Sequence, residues 1–373
     1  MVLIKNGKVF TSSRFIKKDL YIDGSLFSKK GKEDEVYDAE GKFIIPGFWD
    51  IHTHGAMCVD VNTASREGFE KISSFFASHG VSRWLCSILT DDEERTTEAI
   101  IRAKEAIENP LSGAKLMGIH LEGPFLSPKF AGAMPKHLII NGNVELMKRY
   151  VKASGNNIRM MTLAPEVEGN NDVVRAFCKD IAFAMGHSDA TYEEGLECIK
   201  AGAISITHTG NAMRLFHQHQ PALFGVAMAE DVYCEMICDG LHLHKDTVKM
   251  YMKVKGPEKL LAVSDSISAA GMPDGEYMLG INPVVVKNGD ALLRDAPVRA
   301  GSTLTMDRAF RNIMAFSEMN MASSVPPTGP NQAKMLGFGN EYGSLKVGYH
   351  ADFNVVDSNG NIEAIFIDGK RVL

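Results

Sequence analysis

The 373-residue chain contains no run of 18 apolar residues, so no helical segment is expected to cross a membrane. Its first residues, MVLIKNGKVF, lack the charged-then-apolar order of a secretory leader, and a cytoplasmic location is expected. It has no basic block and carries a net charge of −6, a poor basis for holding nucleic acid. No CxxC pair joins Cys58, Cys86, Cys178, Cys198, Cys234 and Cys238, which are expected to be buried thiols in a reducing compartment. Low-complexity tracts and short repeats are also missing, which excludes solenoid and fibrous architectures. What remains is an ordinary globular composition, long enough for an enzyme domain with a smaller appendage.

The two ends share a texture of short β-like runs and turns. VLIKNGKVF, DLYIDGSLFSKKG and KFII lie at the start, and ADFNVVDSNGNIEAIFIDGKRVL at the finish. Asn6-Gly7, Asp23-Gly24, Asn359-Gly360 and Asp368-Gly369 are hairpin signals. One small β domain built from both termini is expected, residues 1–46 plus 346–373. The middle, 47–345, alternates apolar runs with helix-like stretches. The strand candidates are 47–51, 83–89, 115–119, 159–163, 181–185, 203–206, 233–237 and 259–263. Eight such repeats over about 250 residues predict a (β/α)₈ TIM-type barrel. No GxGxxG follows the first of these runs, which weakens the competing doubly wound sheet. Asp91 is expected to cap the helix after the second strand, with Glu94 completing a capping box.

Chemistry-bearing residues follow the strands. Asp50, His52 and His54 come after the first, His120 and Glu122 after the third, His187 after the fifth, His208 after the sixth, Asp239 and His242 after the seventh, and Asp265 after the eighth. In a barrel these strand ends converge on one mouth. Imidazole nitrogen and carboxylate oxygen suit Zn²⁺ or Fe²⁺, and alternate residues on a strand let both histidines of HxH reach one ion. Taken singly, His187 or His208 fits a hydrogen-bonded core histidine, Glu122 a buried salt-bridge partner, and Asp265 a helix cap. Their common placement favours a metal site. His120 is expected to support Glu122 from behind. His79, His137, His244 and His350 have no such placement.

The sequence resembles the N-acetylglucosamine-6-phosphate deacetylases of the amidohydrolase superfamily. The resemblance runs through PGFWDIHTHG (46–55), GIHLEGPF (118–125), LAPE (163–166), GHSDA (186–190), THTGNAM (207–213), CDGLHL (238–243), VSDSISAAGMPDG (263–275), AGSTLTMDRAF (300–310) and the ending GSLKVGYHADFNVVD. It implies a barrel with a small β-sandwich from both termini, and a homodimer acting on an amino sugar. It further implies that Glu122, His187 and His208 hold the main divalent ion, zinc or iron, while His52 and His54 support a second. Asp265 matches the catalytic carboxylate. His242, Asn211, Ala212, Ala133 and His219 fall at positions that meet the substrate.

Two positions depart from the pattern. The arginine that contacts the sugar phosphate in the family, often across a dimer interface, falls at His219. The histidine of the family's GAH segment is Met134. Arg214, Lys129 and Lys136 are the candidates to restore the missing charge, and His137 to restore the missing donor. A histidine cannot copy the arginine fork on phosphate. Three functions are therefore weighed: the family deacetylase; a deacetylase of an unphosphorylated or different N-acetyl amino sugar, or a non-sugar N-acyl amidohydrolase; and a non-catalytic barrel. Retention of all five candidate ligands and Asp265 speaks against the last.

Overall fold

The computed structural model describes all 373 residues. Eight parallel strands form one sheet in sequence order: β1 (Phe48–Asp50), β2 (Val81–Leu89), β3 (Lys115–Glu122), β4 (Ile158–Leu163), β5 (Ala182–Met185), β6 (Ser205–Ile206), β7 (Tyr233–Met236) and β8 (Leu260–Ala262). Each of these strands carries one of the apolar runs that the sequence singles out, and almost every strand residue is buried. That is the expectation for a sheet covered on one face by helices and filled on the other. The sheet nearly closes. Just beyond the strand ends, the Asp265 amide donates to the His52 carbonyl (2.8 Å) and the His54 amide to the Ser266 carbonyl (2.7 Å), bridging the seam.

A helix packs outside after each strand: α1 (Arg66–Ser78), α2 (Glu93–Glu108), α3 (Val144–Ala153), α4 (Asn170–Phe177), α5 (Tyr192–Ala201), α6 (Ala222–Ala229), α7 (Lys245–Val254) and α8 (Met306–Ser317). Local chemistry starts several of them. Thr191 and Glu194 form a reciprocal capping box on α5, and the Asn143 side chain accepts from the Leu146 amide at the start of α3. On α2 the cap is Asp92, which accepts from the Arg95 amide, and not Asp91. The helix starts one residue later than expected, so Glu94 does not occupy the box position. Buried Trp84 joins helix to strand. Trp84 on β2 donates its indole N–H to the Ala114 carbonyl (3.2 Å) and meets Phe76 of α1 edge-on at 5.2 Å.

Two further sheets carry both chain ends. A four-stranded sheet uses Leu26–Ser28, Leu20–Asp23, Val2–Lys5 and Glu35–Asp38; a six-stranded one uses Lys370–Arg371, Ile362–Ile367, Phe353–Val356, Phe43–Pro46, Lys8–Thr11 and Arg14–Lys17. They pack through Phe27 on Phe353 (5.8 Å) and Tyr37 on Phe366 (5.4 Å), a β-sandwich made from both termini. Three of the four expected turns close hairpins. Asn6-Gly7 does not, because the strands it joins belong to different sheets. A side chain at Gly7 would meet the terminal methyl of Ile44 at 2.3 Å, so the crossing is close at this glycine.

A three-stranded sheet, Gly275–Leu279, Asn282–Lys287 and Asp290–Leu293, projects between β8 and α8 and was not among the expected strands. The Asn288-Gly289 turn between VVVK and DALL is the signal that marks it. The buried-thiol expectation fails at Cys58, which is exposed, and at half-buried Cys178; the other four are buried.

Candidate active site

The ends of β1, β3, β5, β6 and β8 bring the candidate ligands together. His52, His54 and Asp265 form one buried group, and Glu122, His187 and His208 another, with the ligand atoms of each group within 4.8 Å of one another. Three of these residues leave their strands with left-handed backbone: His187 (φ 48°), His208 (26°) and Asp265 (49°). Such conformations cost about 1–3 kcal/mol each and persist only where surrounding structure enforces them. Here the sharp turn follows the strand directly and brings each side chain into the shared cluster.

Hydrogen bonds fix the imidazoles. His54 Nδ1 donates to the Ser87 carbonyl (2.8 Å), His187 Nδ1 to the Phe130 carbonyl (2.9 Å), and His52 Nδ1 to Glu235 Oε2 (2.9 Å). Each of these bonds places the proton on Nδ1 and leaves the Nε2 lone pair for the centre. The centre is crowded with acceptors. Glu122 Oε1 lies 3.1 Å from His187 Nε2 and 3.2 Å from His208 Nε2, and those two nitrogens are 3.0 Å apart. Glu122 Oε2 lies 3.2 Å from His54 Nε2, and Asp265 Oδ1 3.1 Å from the same atom. His52 Nε2 is buried and has no hydrogen-bond partner. Lone pairs converging in this way repel unless protons or a cation lie between them. A divalent ion fits this donor set, one for each group of three.

The charges respond accordingly. Burial alone would hold His52 and His54 neutral. The surrounding Glu122, Glu235 and Asp265 instead push His52 well above its ordinary pKa, and Asp265 with Glu122 raises His54 to about 9. In return, burial of Asp265 is outweighed by His52 and His54, and its carboxyl sits below the usual range; Glu122 is likewise held well below. A cation bound here replaces those protons.

His120 lies behind this cluster, fully buried, bonded to Ser87 Oγ (2.8 Å) and Thr162 Oγ1 (2.9 Å) and edge-on to His52 at 4.6 Å. Burial first, then the cationic His52, drive its pKa well down, so it is a neutral wall of the site. Glu235 was missed in the sequence. It sits in the apolar run YCEMI of β7, where a lone carboxylate inside a buried strand is the available signal. Its Oε2 takes both His52 Nδ1 and the His208 amide (2.9 Å each), tying a ligand of one group to the backbone of the other.

Above the ligands opens a cavity of ≈ 700 Å³. Asn211, Ala212, His242 and Ala133 line it, as does the buried Met134. His242 Nδ1 is held by Asp239 (2.7 Å), leaving Nε2 as the free ring nitrogen. Leu279, Leu292 and Leu293 of the three-stranded sheet form another wall. His219 is not brought into the cavity; it lies on an exposed segment, 5.3 Å from His217 between ring centres. Arg214 does not line it either, being held by Asp189 (2.9 Å). His137 is exposed and does not restore the donor lost at Met134.

Residues 43–372 match the amidohydrolase family. The chain is 36% identical to an N-acetylglucosamine-6-phosphate deacetylase of Bacillus subtilis (strain 168), over 96% of this chain and 93% of the relative. It is 29% identical to an N-acetylgalactosamine-6-phosphate deacetylase of Escherichia coli O157:H7, over 93% and 92%. Among solved structures, the fold is similar to a mutant N-acetyl-D-glucosamine-6-phosphate deacetylase of Mycobacterium smegmatis in complex with N-acetyl-D-glucosamine-6-phosphate. The TM-score is 0.93 at 27% identity, and 100% and 99% of the two chains are covered.

Proposed function

The chain belongs to the amidohydrolase family, among the N-acetylglucosamine-6-phosphate deacetylases, and from that premise we propose how it acts: it hydrolyses the N-acetyl group of N-acetylglucosamine 6-phosphate to give acetate and glucosamine 6-phosphate. The observation that carries this reading is the pair of ligand groups, with an orphaned His52 Nε2, beside Asp265 at the floor of a sugar-sized cavity.

In this reading Glu122, His187 and His208 would hold one divalent ion, and His52, His54 and Asp265 would hold a second. Bound metal would acidify water and polarise the acetyl carbonyl. Asp265, ionised at neutral pH, accepts the proton of the attacking water as the new C–O bond forms. It returns that proton to the sugar nitrogen as the C–N bond breaks, since an amine leaves poorly unless protonated. His242, oriented by Asp239, and the turn at Asn211 and Ala212 position the sugar. Zinc is the preferred ion, with iron the alternative, because the donors are imidazole nitrogen and carboxylate oxygen. A homodimer is part of the proposal, supported by Leu215 (83% exposed) and Phe216 (57%) on the segment that carries His219. So is a cytoplasmic location, for which six unpaired thiols are suited. The small domain, 1–46 plus 346–373, and the barrel domain, 47–345, complete the proposal.

The second reading, another N-acetyl amino sugar, rests on His219 and Met134 and on the galactosamine relative. Acetate release by zinc-loaded protein from the 6-phosphates of N-acetylglucosamine and N-acetylgalactosamine, and from unphosphorylated N-acetylglucosamine, decides between them. The highest kcat/KM on the first substrate supports the proposal. A tenfold preference for either of the others replaces it.

A further inference from the structure

Resting on that function, we propose that Lys136 receives the 6-phosphate from within the same subunit, in the role that the missing arginine would have filled. A sugar phosphate carries close to two negative charges. The cavity floor already holds the carboxylates of Glu122 and Asp265, so the phosphate must be matched by a cation farther out. Away from the ligand histidines, three lysine or arginine residues line the cavity: Lys129, Lys136 and Arg299. Arg299 is occupied, with Nε and one terminal nitrogen on the two oxygens of Asp290 (2.9 and 3.0 Å). Lys129 is occupied as well, its ammonium 2.8 Å from Asp189, which also holds Arg214. Lys136 is exposed, and no carboxylate lies within 4.0 Å of its ammonium. It is the free charge of the wall.

Its place in the chain gives the reach. The segment begins at Phe130, whose carbonyl holds His187. It passes Gly132, where a Cβ would stand 3.0 Å from His187 Cε1 and φ is +59°, so that only glycine fits easily. It then runs along the wall through Ala133 and Met134 to Lys136, the first residue of a short 3₁₀ turn, Lys136–Leu138. Gly132 and Lys136 are thus separated by at most about 14 Å of chain. One segment touches a ligand of the floor and presents a free ammonium beyond it. A hexose laid between would have its acetamide at the floor and its phosphate at the lysine. Lysine binds phosphate as a mobile point charge and does not need the arginine fork.

The test compares wild type, Lys136→Met and Lys136→Arg on phosphorylated and unphosphorylated N-acetylglucosamine. Loss of a charge-assisted contact is expected to cut the phosphorylated-to-unphosphorylated ratio of kcat/KM about tenfold or more in Lys136→Met. The loss should appear in KM with kcat near wild type, the dependence of KM on salt should weaken, and Lys136→Arg should restore the ratio. Lys129→Met should move the ratio less. An unchanged ratio in Lys136→Met overturns the inference. So does a larger fall in His219→Ala, which would place the phosphate contact across a second copy. Wild-type protein inactive on both sugars would sink the deacetylase reading itself and this role with it; an active wild type indifferent to Lys136 sinks only the latter.

Discussion

Two buried polar clusters sit on the same barrel and behave in opposite ways. At the seam with the β-sandwich, Arg83 of β2 forks onto Asp352 (2.8 and 3.1 Å) and reaches Asp368, with its guanidinium over the Tyr342 ring at 4.8 Å. Tyr342 stacks on His350 at 4.3 Å; His350 Nδ1 bonds Asp368 (2.8 Å), and the Asp368 amide donates to Asp352 (2.8 Å). None of the charged atoms there is orphaned. At the mouth, by contrast, lone pairs face lone pairs and His52 Nε2 has no hydrogen-bond partner. Both clusters bury charge, Arg83 and Asp352 at the seam and the six ligands at the mouth, but only the seam satisfies it. A buried cluster whose donors and acceptors pair off holds the molecule together. One whose acceptors converge is built around something that arrives later.

The sharpest way to separate the two is Asp265→Asn. It should lower kcat/KM by about 10²–10⁴-fold, the usual worth of a proton-transferring group, while the thermal midpoint stays near wild type or rises. Activity within tenfold of wild type would remove Asp265 from the reaction.

Arg83→Met should do the reverse. Stranding the buried Asp352 beside the half-buried Asp368 is expected to cost about 3–5 kcal/mol in urea unfolding, with metal content per folded chain unchanged. The pH dependence has a definite sign. With the guanidinium gone, desolvation dominates at Asp352, whose pKa is already raised by burial, so the folded state binds protons more readily than the unfolded one. The deficit of this variant should therefore be larger at pH 7 than at pH 5. A deficit that shrinks toward neutral pH, or loss of metal, would show that the clusters are not independent.

Glu235→Gln tests the join between the two ligand groups. Weakening the hold on His52 Nδ1 and the His208 amide should cost about 10–100-fold in metal affinity, read by chelator competition, with little change in stability of the chelated protein. Unchanged affinity would leave Glu235 a packing residue.

The smallest effect is expected at Asp368. Burial opposes its ionisation, but Arg83 and His350 hold its carboxyl below the ordinary value. Its contribution is in place above the unfolded pKa of about 3.9 and is lost as pH falls through the lower folded value. The stability difference between wild type and Asp368→Asn should be constant above about pH 4 and shrink below it.

Legibility in the sequence followed the kind of interaction. All eight barrel strands could be read from apolar runs, and five of them carried their ligands at or just beyond their C-terminal ends. The three-stranded sheet was passed over because its strands are half exposed and interrupt the repeat. Glu235 was hidden by an apolar neighbourhood, since its role depends on His52, 183 residues away. The seam cluster was equally invisible, because Arg83 and Asp352 are separated by 269 residues and no local pattern pairs them.

The sequence alone determined the alternation of strand and helix, the β texture of both ends, and the residue types at the strand ends. Periodicity and turn chemistry act over a few residues and are written locally. Tertiary structure decided which Nε2 lone pairs face which carboxylates, and that Asn6-Gly7 crosses between sheets instead of closing a hairpin. It also decided that Lys129 and Arg299 are already paired while Lys136 is not. Those outcomes depend on distances between chain segments that the closed barrel brings together and that no local pattern encodes.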